Sequence, residues 1–231
     1  MMSPTHELSS KATIPPSPWR LKAKMWLGLS WVRTSDLDRH LRVDLPSGAK
    51  LVSIFGWSLC GSAFVDYGPQ GEECILAYHE LLQAVLVLRG FRPRIFIPRI
   101  WVDSETSRLG GIAHWAIPKE LASFSRGSPS QCSTTTEFLA EASLGWPLAR
   151  LRIASELESS PGIPFWSHMT LIQKRESGEV VETASTMSGS IRLSRQAGWR
   201  FFAEDPAKKG TLPLSKPWIT LYLAPTRIKF G

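Results

Sequence analysis

No run of 18 apolar residues occurs in this chain, so nothing in it reads as a membrane-spanning helix. The opening residues, Met1–Ser17, are polar and proline-containing and lack the apolar centre of a secretion signal. Cysteine is scarce: Cys60, Cys74 and Cys132 have no metal-ligand spacing, and an odd number without an export signal points to free thiols in a reducing, cytoplasmic setting. HExxH, P-loop and dinucleotide fingerprints are all missing, which removes the commonest metal and nucleotide chemistries, and no metal site is expected. There is no internal repeat and no spacer-like low-complexity stretch. The expected organisation is therefore a flexible segment over 1–15 followed by a single domain over 16–231. Lys and Arg number 27 against 20 Asp and Glu, a net charge of +7, but the basic residues are scattered. That balance suits anions in general and gives no motif for nucleic acid.

What the chain does have is apolar content, 43% of 231 residues, enough for one sizeable core. Its 17 prolines and 17 glycines are spread along it, as turns between many short strands would be. Strands are expected over Trp26–Arg33, Leu51–Phe64, Ile75–Leu88, Ile95–Val102, Ile191–Phe202 and Trp218–Phe230. Phe138–Glu158 reads as two strands joined at Gly145-Trp146-Pro147, and Met169–Met187 as a hairpin turning at Ser177-Gly178. Thr34-Ser35-Asp36 offers caps for a short helix through Leu41. Strands outnumber helices, and sequential hairpins suggest a mainly β (α+β) fold, an antiparallel barrel or sandwich enclosing a pocket. The ten tryptophans fit a thick core or an aromatic-lined cavity.

One lysine stands out. Lys119 follows Pro118 inside the apolar, aromatic stretch Trp101–Phe124. Pro118 suits the first position of a helix, which would put Lys119 in a first turn, where the helix dipole disfavours an ammonium. Burial beside Trp115 and Ile117 disfavours it too. Both effects favour a neutral amine, which can attack a ketone and form a Schiff base. The plain alternative is a helix-start lysine with its amine in water.

Asp103, Glu105, Gly111 and the Pro118-Lys119 pair, in that order and spacing, resemble the active-site region of the acetoacetate decarboxylase superfamily. Tyr78-His79-Glu80 resembles the family segment that carries an active-site glutamate, with 39 residues from Glu80 to Lys119. Pro18-Trp19 and Leu223-Ala224-Pro225 also match, so the resemblance runs from Pro16 to Gly231 and is strongest over Tyr78–Phe124. It implies a cone-like antiparallel β-barrel with a few short helices around an apolar pocket. Lys119 would be the Schiff-base residue, the covalent imine standing in for any cofactor. Glu80 would position substrate or shuttle protons.

The chain also departs from that pattern. Glu120 stands where the decarboxylase has a second lysine, and a neighbouring carboxylate favours the ammonium form. Ile112-Ala113 replaces an Arg-Glu pair. Lys24 falls near the family's arginine, keeping the charge without the bidentate fork, and Asp66 falls near a second acidic residue. Tyr78 and Glu120 join these as substrate-contact candidates. Trp57, Phe64, Tyr67, Trp101 and Trp115 could line a larger, greasier pocket or simply fill a core. Arg89, Arg92, Arg94 and Arg99 read as a solvated strand face rather than an anion site. His79 should face away from Glu80, because adjacent strand residues point to opposite faces, and His114 stands in the same relation to Trp115.

Three functions stay open. The first is a decarboxylase-like lyase acting on a keto acid or polyketide-like substrate. The second is a non-decarboxylating aldolase-dehydratase or a cyclase of a large apolar substrate. The third is a non-catalytic binding barrel for apolar acids. A small-molecule substrate is the expected partner, with neither nucleic acid nor membrane, and the resemblance leaves a homo-oligomer open.

Overall fold

A computed structural model describes residues 13–42, 44–69, 74–127, 135–142, 145–154, 161–194, 197–202, 211–212, 214 and 216–231. Most of the segment expected over 1–15, together with Cys132 and Glu158, lies outside the described residues.

The elements follow in chain order: β1 (Trp19–Arg33), α1 (Thr34–Leu41), β2 (Ala49–Leu51), β3 (Trp57–Tyr67), β4 (Tyr78–Arg89) and β5 (Arg92–Val102). Then come α2 (Glu105–Trp115), β6 (Lys119–Gly127), β7 (Thr135–Ala142), β8 (Pro147–Ala154), β9 (Ile163–Lys174), β10 (Val180–Ser194), β11 (Gly198–Phe201) and β12 (Ile219–Phe230). The helix over 34–41 and most expected strands are present, but Leu51–Phe64 is broken between β2 and β3, and Ile191–Phe202 is divided between the end of β10 and β11. The α1 cap differs, because the Thr34 hydroxyl bonds Ser53 and Ser58 rather than the helix end.

Seven strands close into a barrel in the order β5-β9-β10-β12-β1-β3-β4, with β4 returning to β5. Six of the seams are antiparallel; β5 meets β9 in parallel at Ile95–Leu171. β5 forks. Its far half, Ile100–Val102, instead pairs in parallel with the start of β6. A parallel neighbour requires a crossover, and α2 supplies it. From β6 an outer sheet, β6-β7-β8-β11, continues around the barrel wall.

This second layer makes both faces of several barrel strands apolar. Trp26, Phe64, Leu81 and Trp101 point outward and pack under Phe138, Leu151 and Trp199 of the outer sheet. The inward residues of β4 are Tyr78, Glu80, Leu82, Ala84 and Leu86, of which Leu82, Ala84 and Leu86 are only half-buried. Their outward neighbours Leu81, Gln83, Val85 and Val87 are fully buried. A barrel better filled outside than inside encloses a cavity. No helix among the described residues is long and apolar enough to cross a membrane.

Candidate active site

The local path of the chain around Lys119 begins at Ser104. Its hydroxyl accepts the Ser107 N–H (3.2 Å), capping α2, and Glu105 adds an acid in the first turn. The helix ends on Ala116, whose left-handed φ of 55° lets its own N–H and that of Ile117 return to the carbonyls of Ile112 and Gly111. The Lys119 N–H then bonds the Ile117 carbonyl at 2.8 Å, a tight turn centred on Pro118, whose fixed φ suits it. Lys119 is therefore the first residue of a strand. The helix expected from Pro118 onward is absent; it lies one element earlier, and Lys119 is not in its first turn but reaches it through Ser107.

Strand alternation settles the position of Glu120. Lys119 points inward and is buried, whereas Glu120 points outward and is exposed. The two side chains occupy opposite faces, and Glu120 does not line the cavity that Lys119 faces.

The Lys119 Nζ donates to Glu80 Oε2 at 2.9 Å and to Ser107 Oγ at 2.8 Å, and stands 5.1 Å from the centre of the Tyr78 ring. The Tyr67 hydroxyl donates to the other carboxylate oxygen, Oε1, at 3.1 Å, and its ring stacks on Tyr78 at 4.4 Å. Lys119 is 6% exposed and Glu80 3%. Burial, and then the charge of Glu80, push the phenols of Tyr67 and Tyr78 well above their ordinary range, so both stay protonated. Burial likewise raises the Cys60 thiol to about 12, which leaves it inert as a nucleophile.

These groups sit on the wall of a cavity of about 280 Å³. Its polar lining is Tyr67, Tyr78, Glu80, Lys119 and Ser185; the rest is apolar, from Trp19 and Trp115 at one end to Leu29, Leu59 and Leu86 at the other. Lys119 is the one cation lining it among the described residues.

Five sequence candidates thus converge here: Lys119, Glu80, Tyr78, Tyr67 and Trp115. Trp101, with 1% exposure, points the other way, into the layer beneath the outer sheet, and does not line the cavity. Phe64 lies in that same layer, while Trp57 is on the surface under the Arg33 guanidinium. Lys24 and Asp66 are cross-strand partners on the outer face, lining a separate groove with His79 and Asp103. As expected, His79 faces away from Glu80, its Nδ1 2.7 Å from Asp103 Oδ2. His114 reaches the Pro15 carbonyl at 2.9 Å. Arg89 and Arg94 both pair with Glu182, and Arg99 with Asp44.

Sequence reasoning missed Ser107, which holds the amine, and the role of the Gly110-Gly111 pair. The spacing of Ser107, Gly111 and Trp115, one buried face of α2, is the signal that could have shown them. A Cβ on Gly110 would lie 2.4 Å from the Trp19 ring; one on Gly111 would lie 2.8 Å from Lys119 Cδ. The two glycines should therefore fail differently. Gly110→Ala forces a rigid indole aside and is expected to destabilise by ~1–3 kcal/mol in urea unfolding. Gly111→Ala meets only a flexible stem. It is expected to leave stability within ~1 kcal/mol but to displace the amine, at on the order of 10²-fold in rate.

The family model described as acetoacetate decarboxylase (ADC) matches residues 40–153, about half of the chain. No curated protein matches it significantly. Among solved structures, acetoacetate decarboxylase from Legionella pneumophila subsp. pneumophila str. Philadelphia 1 is similar at 15% identity and a TM-score of 0.63, over 97% of this chain and 91% of that one. An acetoacetate decarboxylase-like enzyme from Sphingomonas wittichii RW1 is similar at 15% identity and a TM-score of 0.57, over 100% and 98%. The enduracididine biosynthesis enzyme MppR, complexed with the condensation product of pyruvate and imidazole 4-carboxaldehyde, is similar at 16% identity and a TM-score of 0.59, over 96% and 88%. At such identities these likenesses speak for the fold alone.

Proposed function

We propose that this chain, which belongs to the acetoacetate decarboxylase-like superfamily, is a lyase whose Lys119 amine forms a Schiff base with a carbonyl substrate held in the barrel cavity. The observation that carries this reading is a buried amine at the polar end of an apolar cavity, 2.9 Å from a carboxylate. The MppR complex with a carbonyl condensation product lends it chemical precedent within the fold.

The amine must shed a proton to attack, and Glu80 Oε2 is placed to take it. The N–C bond forms as the carbonyl π bond opens, and the carbonyl oxygen leaves as water after taking one proton from the attacking nitrogen and one back from Glu80. The resulting iminium draws electrons from the bond one carbon away. In a β-keto acid that bond breaks to release CO₂, leaving an enamine. The enamine takes a proton at carbon, and water then adds to the iminium and returns the free amine. Tyr67 holds Glu80 Oε1, which keeps Oε2 turned to the lysine; Ser107 fixes the amine from the helix side. Fixed geometry of this kind supplies much of a barrier before any bond changes.

A second reading keeps the iminium and changes the bond that breaks or forms: aldol-type cleavage, dehydration or cyclisation of a larger apolar substrate. The cavity wall favours it, since the one lining cation is already matched by Glu80. Both readings have a shared test that needs no natural substrate. Incubated with a simple methyl ketone in heavy-oxygen water and deuterium oxide, the protein is expected to exchange the carbonyl oxygen and the α-hydrogens faster than buffer does. Exchange no faster than buffer overturns the Schiff-base reading.

A further inference from the structure

The wall of the cavity bears on the class of carbonyl compound it takes. Along β4 the inward series is Tyr78, Glu80, Leu82, Ala84, Leu86; polarity ends at Glu80. At about 3.4 Å per strand residue, Leu86 stands roughly 20 Å along the strand from Glu80. β1, separated from β4 by β3 alone, repeats the pattern, with Met25, Leu27 and Leu29 inward and Lys24 outward. The polar groups thus sit towards one end, and a wholly aliphatic arm extends away from them. Leu82, Ala84 and Leu86 keep part of their surface uncovered although the barrel surrounds them, so the arm is open space and not packed core.

Charge points the same way. Lys119 is the one lining cation among the described residues, and Glu80 lies against it at 2.9 Å. Ser185, on β10, adds a hydroxyl but no charge. A carboxylate brought into this cavity would meet Glu80, the neutral hydroxyls of Tyr67, Tyr78 and Ser185, or hydrocarbon, with no lining cation besides Lys119 among the described residues to balance it, and burying an unbalanced anion is strongly disfavoured.

We infer that the cavity takes a neutral, largely aliphatic ketone or aldehyde, its carbonyl carbon at Lys119 and its chain along the Leu82–Ala84–Leu86 arm, in preference to a short keto acid. This inference rests on the Schiff-base reading. The bond changes are those of imine formation: the N–C bond forms and the carbonyl oxygen leaves as water. The reaction served is then one that cleaves, dehydrates or cyclises a neutral carbonyl compound.

Borohydride trapping separates the possibilities, because hydride added to the iminium carbon makes a stable secondary amine readable by mass. Four probes are compared at equal concentration: butanone, methyl heptyl ketone, methyl isobutyl ketone and acetoacetate. Methyl isobutyl ketone has the shape of acetoacetate without its charge. It is expected to label Lys119 at least tenfold more than acetoacetate. Each buried methylene multiplies affinity roughly fourfold, so methyl heptyl ketone is expected to exceed butanone by at least tenfold. In Leu82→Trp, where the arm is plugged about 7 Å along the strand from Glu80 and within reach of the heptyl chain, that chain-length ratio should fall towards one. Equal or greater labelling by acetoacetate, or no gain with chain length, or a ratio that survives Leu82→Trp, overturns the substrate class while the Schiff base stands. Labelling by none of the four overturns the Schiff-base reading itself.

Discussion

Lys119→Met is expected to abolish ketone exchange and to lower stability by about 3–5 kcal/mol, the range for removing one member of a buried ion pair. Methionine fills much of the space of the lysine stem and leaves the contact with Gly111 intact. What it removes is the amine. Glu80 would then be buried with only the Tyr67 hydroxyl donating to it. For a chain of this size each kcal/mol moves Tm by roughly 2–4 °C, so a fall on the order of 10 °C is expected. The double variant Lys119→Met/Glu80→Gln tests the cause. Glutamine keeps an acceptor for Tyr67 while removing the stranded charge, so the double variant should recover about 2 kcal/mol or more relative to Lys119→Met alone. If the single and double variants unfold at the same urea concentration, the pair does not carry that energy.

Glu80→Gln on its own is expected to slow exchange by roughly 10²–10⁴-fold, the usual contribution of a positioned acid or base. The amide preserves shape but has one acceptor oxygen where the carboxylate has two, so it can accept from Tyr67 or from Lys119 while its NH2 faces the other. What it cannot do is take the proton from the amine and return it to the departing oxygen. Imine formation and hydrolysis both need that transfer, so exchange of the carbonyl oxygen should suffer throughout. A Glu80→Gln protein with near-native exchange would mean that the carboxylate only balances charge.

The candidate site was legible where strand geometry alone decides. The family resemblance singled out Glu80, alternation set His79 on the opposite face, and the distances to Lys119 and Asp103 agree. The same rule would have cleared Glu120, had Lys119 been read as a strand residue. Pro118 suits a helix start and a tight turn alike, while Gly110-Gly111 lower the helix propensity of the segment that forms α2. Those glycines are there for close approach: Trp19 packs on one and the lysine stem on the other.

The tryptophans show a different limit. Trp101 and Trp115 have similar apolar settings in sequence, yet one faces the outer sheet and the other the cavity. A barrel wrapped by a second layer has two apolar faces, so hydrophobicity cannot tell inside from outside. Lys24 was misplaced for a related reason. It lies where the β1–β12 register shifts, between Ala23 and Met25, and only pairing in three dimensions shows which way it turns. The closed seven-strand barrel was foreseen as a class. The parallel β5–β9 seam and the fork of β5 into the outer sheet depend on long-range pairing that no local pattern encodes.

The central claim is that Lys119 is the nucleophile. Its most direct measurement is borohydride reduction of the protein with methyl heptyl ketone, followed by digestion and peptide mapping. The account predicts one equivalent of alkyl amine, on the peptide containing Lys119, and none in Lys119→Met. A modified lysine elsewhere, or equal labelling of the Lys119→Met protein, would contradict it.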